Sequence, residues 1–281
     1  MSGTSHPRAE SPTETSAHAM HASLDGRTID LAAAGITRFV HRAVLASTMD
    51  EAHVLAAGGA PSGTVVVADV QTAGRGRSGS TWVSQAGDGL WCTLVERAVP
   101  EHALEVLSLR VGMAIADVVA PWCDGVVGLK WPNDVLVQDA ESGTFTARKL
   151  AGVLTEARWR DGQVDWVAIG VGINLRVPTT ALVGRPAAAL DPGTDRAQLL
   201  AALVPRLRDV ARRDGPLRAD ECQEWDARDL MRGRACVEPA VGVVDGIAAN
   251  GALCIAAEPP TAERVLCRSG SLRMREEVEP C

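Results

Sequence analysis

Apolar residues recur along this chain with two different periods, and the switches between those periods mark the elements. From Ile36, F-V-H-R-A-V-L-A reads as a first strand. It runs into S-T-M-D-E-A-H-V-L-A-A-G-G, where Ser47 or Thr48 offers an N-cap, Asp50 and Glu51 acidify the first turn, and Gly58-Gly59 stop the helix. Thr64 to Val70 is a β-branched strand and Gly89 to Val95 another. From Glu101 to Val119 the apolar positions Leu104, Leu107, Val111, Ile115 and Val118 fall near one helical face, and Pro121 ends it. Val126 to Leu129 leads into K-W-P-N-D-V-L-V, a strand with a proline-bent start. Leu150 to Trp159 and Val164 to Val171 are strands joined through Asp161-Gly162, a strong short-hairpin signal. Ala197 to Arg213 carries Leu199, Leu200, Leu203, Leu207 and Val210 on one helical stripe.

The ends of the chain have a different texture. Residues 1–28 are rich in Ser, Thr, Pro, His and Ala, too poor in large apolar side chains to offset ordering entropy, so a disordered tail is expected. After a polar stretch from Asp214 to Asp229, short strands punctuated by turn residues (R-A-C-V-E-P, G-V-V-D-G-I, G-A-L-C-I-A-A, R-V-L-C-R-S-G) suggest a small separate β-barrel over residues 229–281. Hairpin-joined strands with helices grouped around them make residues 29–228 an α+β domain with a mixed, mainly antiparallel sheet. No long repeat is present.

Charge and cysteine usage narrow the classes. A net charge of −7 argues against the whole chain being a non-specific nucleic-acid binder. The seven cysteines are scattered, with no C-x-x-C pair and no zinc-ligand spacing, so buried free thiols in a reducing compartment are expected. No apolar run is long enough for a membrane span, and the first residues lack the apolar core of a signal peptide. A cytoplasmic protein is expected.

Four stretches carry candidate chemistry. Q-T-A-G-R-G-R-S-G-S-T-W, residues 71–82, follows a strand. Its glycines allow close backbone approach to a ligand, and Arg75 and Arg77 add permanent charge and bidentate hydrogen bonding for an anion. A solvated basic turn or an RNA contact is the plain alternative. The formal G-x-G-x-x-G match fails as a dinucleotide fingerprint, because no helix opens at Gly79 and no βαβ unit follows. Lys130-Trp131-Pro132-Asn133-Asp134 gathers an ammonium, an amide and a carboxylate that could hold a nucleotide and its Mg²⁺, or simply form a P-N-D turn. Lys149 opens an apolar strand, where it either snorkels to water or neutralises charge on a transferring group. In I-G-V-G-I-N, Gly170 and Gly172 weaken a strand in the way that close approach of a ligand or another backbone requires, and Asn174 follows at its end.

Taken together and in this order, S-T-M-D-E-A, Q-T-A-G-R-G-R-S-G-S-T-W, L-K-W-P-N-D-V-L-V, K-L-A-G-V-L-T-E and I-G-V-G-I-N-L resemble the biotin protein ligases over about residues 38–272. The related lipoate ligases share the fold but lack the G-R-G-R-x-G-x-x-W loop. The resemblance implies a class II synthetase-like catalytic domain with an SH3-like C-terminal barrel. It also implies a two-step reaction. Biotin and MgATP give biotinyl-5′-AMP and pyrophosphate, and a lysine of a biotin carboxyl carrier protein then takes the biotinyl group. Carried over by motif match, Ser47, Thr48, Met49, Gln71, Arg75, Gly76, Arg77, Lys149, Gly170 and Gly172 would contact biotin. Arg77, Trp82, Lys130, Asn133 and Asn174 would contact ATP, Asp134 would serve Mg²⁺ or phosphate, and Lys149, Arg77 and Arg75 would be catalytic. Three features depart from the family pattern. Met49 stands where many relatives have asparagine, the loop from Asp139 to Lys149 is long, and the stretch before the first strand is too short for a DNA-binding helix-turn-helix. DNA and membrane partners are therefore not expected, and a monomer or homodimer is.

Overall fold

The computed structural model describes residues 13–14, 20–139, 146–177, 186–257 and 263–277, the first pair as backbone only. The long loop after Asp139 lies mostly outside the described residues.

Three short strands lead, β1 (Thr13–Glu14) and the hairpin of β2 (His21–Leu24) and β3 (Arg27–Asp30). Then come β4 (Arg38–Leu45), α1 (Thr48–Ala57), β5 (Thr64–Gln71), β6 (Gly89–Glu96), α2 (Leu107–Val119), β7 (Val126–Lys130), β8 (Asp134–Gln138), β9 (Ala147–Arg160) and β10 (Gln163–Asn174). Helices α3 (Arg196–Ala211) and α4 (Ala219–Arg228) precede β11 (Ala235–Glu238), β12 (Gly242–Ile247), β13 (Leu253–Ala256), β14 (Arg264–Cys267) and β15 (Arg273–Met274). The main sheet has the order β1-β4-β5-β6-β10-β9-β8-β7. Only β4 and β5 pair in parallel within it, which is what the α1 crossover between them requires; its other pairs are antiparallel.

Alternation along β6 and β10 divides the sheet into two faces. Leu90, Cys92, Leu94, Ile169, Val171 and Ile173 face the large core beneath α2 and α3. Val95 and Trp166 face α1, with Val40, Ala52, Ala56 and Val66. The register pairs Thr93 with Gly170 and Trp91 with Gly172, and on β9 it pairs Gly152 with Gly172. These positions share the α1 face, which is where the site lies.

The structure corrects the expected outline in five places. Residues 20–28 are not part of a disordered tail, because they belong to the β2–β3 hairpin, whose Leu24 and Ile29 bury themselves with α3. Those few apolar side chains are diluted in the composition of the segment. Helix α2 begins at Leu107 rather than Glu101, since Glu101–Ala103 is a tighter turn carried by i→i+3 bonds that keeps nearly the same facing. Lys130–Val137 is not one bent strand but the turn and second strand of a hairpin, β7–β8. The polar stretch before Asp229 holds α4, which buries only Glu221 and Trp225 and so shows no apolar stripe. Finally, among the described residues the C-terminal strands form an open antiparallel sheet, β14-β13-β12-β11-β15, rather than a closed barrel.

Cys92, Cys236 and Cys254 are buried, Cys123, Cys222 and Cys267 half-buried, and all six are free. No helix among the described residues is long and apolar enough to cross a membrane.

Candidate active site

The glycine-arginine stretch folds into a short arm. Bridges join Gln71 to Ser84 and Arg75 to Thr81, and Gly76 N–H donates to Ser80 O (2.7 Å) while Trp82 N–H donates to Gly74 O (2.8 Å). Gly74 and Gly76 are required by this closure, since a methyl carbon on either would lie 2.4 Å from the opposite side of the arm. The arm lays the Trp82 indole flat on the sheet. A methyl carbon at Gly172 would sit 2.6 Å from that ring, and one at Gly152 2.7 Å from it. At Gly170 it would meet the Met49 methyl at 2.8 Å. Three glycines thus form the floor of a lane, roofed here by Trp82 and Met49.

One end of the lane is neutral and preorganised. Ser47 caps α1 by accepting the Met49 N–H (3.2 Å). Thr48 donates to Gln71 Oε1 from both its backbone N–H (2.8 Å) and its hydroxyl (3.2 Å), and Thr93 Oγ1 donates to Thr48 Oγ1 (2.9 Å). A backbone N–H can only donate, so the Gln71 atom it meets is the oxygen, and the amide N–H groups face the other way, where Nε2 makes one long contact to Ser84 Oγ (3.5 Å). Thr93 is fully buried and was not anticipated. A single polar residue in the apolar run G-L-W-C-T-L-V was the available signal, and its register opposite Gly170 gives it meaning.

The other end is charged. Lys149 Nζ lies 2.6 Å from Asp134 Oδ1 and 5.0 Å from the Trp82 ring centroid, a cation–π contact. Arg77 Nη1 donates to Asn133 Oδ1 (3.3 Å), while Asn133 Nδ2 donates to Val153 O (2.7 Å). Burial pulls the Arg77 guanidinium below its ordinary pKa, with the Asp134 carboxylate opposing that fall. The Trp82 indole N–H is buried without a partner. The turn bearing Asn133 and Asp134 is braced from the C-terminal sheet, because Trp131 Nε1 donates to Gly251 O (3.0 Å). A cleft of about 210 Å³ opens there between Arg77, Ser108, Trp131, Thr155 and Arg268. A larger cavity, about 630 Å³ beside Cys123, Arg148 and Leu190, contains none of the expected site residues.

Three expected contacts lie elsewhere. Arg75 is turned to Asp50 (2.8 Å) and Glu156 (2.5 Å), not to Lys149. Lys130 is held by Glu277 at 2.7 Å, the hairpin having aimed it at the C-terminal segment. Asn174 spends its amide on the backbone oxygens of Lys149 (3.2 Å) and Ala188 (3.1 Å), so it braces the start of β9 rather than facing the lane. No cluster of three His, Cys, Asp or Glu side chains occurs among the described residues.

Comparison with known proteins agrees with this geometry. The biotin/lipoate A/B protein ligase family matches residues 43–174. A bifunctional ligase/repressor of Bacillus subtilis is 39% identical over 137 residues, 48% of this chain, and the chain spans only 40% of that protein's length. A biotin–[acetyl-CoA-carboxylase] ligase of Mycobacterium tuberculosis is 34% identical over 218 residues, covering 71% of this chain and 76% of the relative. In fold, the chain resembles the biotin protein ligase of Aquifex aeolicus solved with biotin and ATP, with a TM-score of 0.64 at 24% identity, covering 84% of this chain and 98% of that one. With a relative matched over about three quarters of its length at that identity and the family match centred on the lane, the chain belongs to the biotin/lipoate A/B protein ligase family, among its biotin protein ligases.

Proposed function

We propose that the chain activates biotin with ATP and transfers the biotinyl group to a lysine of a biotin carboxyl carrier protein. The observation that carries this reading is the lane itself, a glycine floor with hydrogen-bonding groups at one end and Lys149 and Arg77 at the other. Biotin has the same polarity, a neutral ureido ring joined by an apolar chain to a carboxylate. Gln71 N–H and the Ser47 hydroxyl then receive the ureido oxygen, and the chain lies on Gly170, Gly172 and Gly152 in the space now filled by Trp82. The carboxylate reaches Lys149.

In the first step a biotin carboxylate oxygen attacks the α-phosphorus of ATP, the bond to the bridging oxygen breaks, and pyrophosphate leaves. Negative charge accumulates on the α-phosphate oxygens, and Lys149 and Arg77 stabilise it from a site shielded by the Trp82 arm. In the second step the carrier's lysine amine attacks the acyl carbon and AMP departs. Holding the two reactants together supplies the rate, and no protein nucleophile is used. Asp134 would hold Mg²⁺, which suits a site with one or two protein carboxylates because phosphate oxygens and water complete its shell, and the ion would add charge neutralisation at the phosphates. The polar cleft beside Arg77 fits the nucleotide's phosphates. We further read the chain from the β2–β3 hairpin to residue 228 as the catalytic unit and residues 229–281 as a separate small β-sheet module. The antiparallel order of β11–β15 and the Trp131–Gly251 bond that steadies the Asn133–Asp134 turn support that division.

The test is intact mass after mixing the purified chain with biotin, MgATP and a carboxyl carrier domain. A gain of one biotinyl group on the carrier, absent without ATP, is expected. A gain with lipoate instead of biotin would move the assignment to the sister activity, and binding of biotin with no transfer would make the chain a sensor.

A further inference from the structure

The side-chain attachments that hold the arm carrying Arg77 and Trp82 to the body are unequal. Gln71 and Arg77 make neutral-partner bonds of 2.8–3.3 Å, and Trp82 makes apolar contact with the glycine floor. Arg75 alone is fixed by two carboxylates, Asp50 on α1 at 2.8 Å and Glu156 on β9 at 2.5 Å. Charge-assisted bonds of this kind are roughly twice as strong as neutral ones. Glu156 is in turn set by a partner that admits only one arrangement. The Trp166 indole N–H lies 3.0 Å from His53 Nδ1 and can only donate, so Nδ1 carries no proton. The His53 proton is therefore on Nε2, 2.9 Å from Glu156 Oε2. Burial lowers the His53 pKa, in keeping with a neutral ring. The chain Trp166–His53–Glu156–Arg75 runs from the small core under α1 to the arm, with every donor direction fixed.

We propose that Glu156, oriented by His53, is a positioning residue that locks the 71–84 arm over the lane through Arg75, and that Arg75 is an anchor rather than a catalytic group. Glu156 stands on the α1 face of β9, two face positions beyond Gly152, with its oxygens committed to Arg75, His53 and a long contact to Arg158 (3.5 Å). Arg77 is two residues along the chain from Arg75. Loss of the anchor leaves the chemistry at Lys149 intact and lowers the fraction of chains in which the arm stays over the substrate once the Trp82 ring has swung off the floor to admit it.

The experiment reads the arm directly. Trypsin cleaves after arginine, so cleavage after Arg75 and Arg77 in the folded, ligand-free full chain reports how often the arm opens. Glu156→Gln, which keeps shape and removes charge, is expected to speed that cleavage about 10-fold, as loss of roughly one charge-assisted bond implies. Glu156→Asp is expected to recover part of the protection, and His53→Gln to give an intermediate rate. The same variants should raise the KM for biotin and leave kcat within about 3-fold, an effect that rests on the ligase reading above, whereas the cleavage rate does not. Unchanged cleavage in Glu156→Gln, with its thermal midpoint preserved, would overturn the inference. So would a fall in kcat at constant KM, which would place Glu156 in the chemistry. Altered cleavage in a chain that transfers no biotin would sustain the anchor and sink only the ligase reading.

Discussion

The two ends of the lane are built from opposite kinds of interaction. At the neutral end Thr93, Thr48 and Gln71 form a one-way chain of hydrogen bonds, and its two threonines are buried. A ligand has little to break there, because the Gln71 amide N–H groups point away from Thr48 and make only a long contact to Ser84 Oγ (3.5 Å). At the charged end Lys149 is paired with Asp134, each about a quarter exposed, and lies against the Trp82 ring. A ligand anion must compete with that pair and displace that ring. The neutral end is thus arranged to recognise and the charged end to respond, which is the division of labour expected where binding energy is used for orientation and charge is stabilised as it develops.

The largest effect should come from removing the responding charge. Lys149→Ala is expected to slow adenylate formation by about 10²–10³, the range for deleting one group aimed at a developing anion. Isotope exchange between pyrophosphate and ATP measures that step alone. Biotin affinity should change much less. An affinity loss as large as the rate loss would erase the distinction between the ends.

The floor gives the next effect, and its two glycines are not equivalent. Gly172→Ala drives a methyl into the rigid Trp82 ring, whereas Gly170→Ala meets the flexible Met49 methyl first and the Leu154 backbone oxygen only at 3.3 Å. Gly172→Ala should therefore raise the KM for biotin about 10-fold and shift tryptophan fluorescence, and Gly170→Ala should do less, in line with a cost near 1–3 kcal/mol for overpacking a fitted surface. Equal effects would mean that Trp82 leaves the floor before biotin arrives. At the neutral end, Thr93→Val removes one buried donor. Biotin affinity measured by calorimetry should fall by a factor of about 5–10 with kcat unchanged, and Thr93→Ser should restore it.

The sequence carried the outline of the lane because its parts are local. The Ser47 cap, the Gly-Arg arm and the alternating glycines of β10 each announce themselves within a few residues. What it did not carry depends on register and on long-range partners. Thr93 matters through its position opposite Gly170, and nothing near Arg75 in the chain shows that it pairs with Glu156, 81 residues away. The same holds for Lys130, whose partner Glu277 lies 147 residues on. In the same way α4 was hidden, since a helix that buries one tryptophan and a salt-bridged glutamate has no apolar period to read.

Asp229 offers the smallest and most diagnostic contrast, a buried carboxylate without an ion pair like the one Asp134 makes with Lys149, the Arg232 charge acting on it only weakly. It is 8% exposed at the junction of β7 with the C-terminal sheet; its Oδ1 accepts the Met231 N–H (2.9 Å), and its Oδ2 has no partner. Burial raises its pKa from 3.8 to about 6, with Asp226 adding to the rise and the Met231 N–H opposing it. A carboxyl with a raised folded-state pKa binds its proton more tightly when folded, so its penalty is absent below pH 3.8, grows between pH 3.8 and about 6, and is complete above that. Two pKa units correspond to a ceiling of about 3 kcal/mol. Asp229→Asn should therefore raise the thermal midpoint by several degrees at pH 8, by about 2–4 °C per kcal/mol for a chain of this size, and leave it unchanged near pH 4. Lys149 activity should be untouched in this variant. If Asp229→Asn instead destabilises equally at both pH values, the bond to Met231 outweighs the charge. A lone buried carboxylate would then be tolerated here without a cation, and the Asp134–Lys149 pair would have to be explained by function alone.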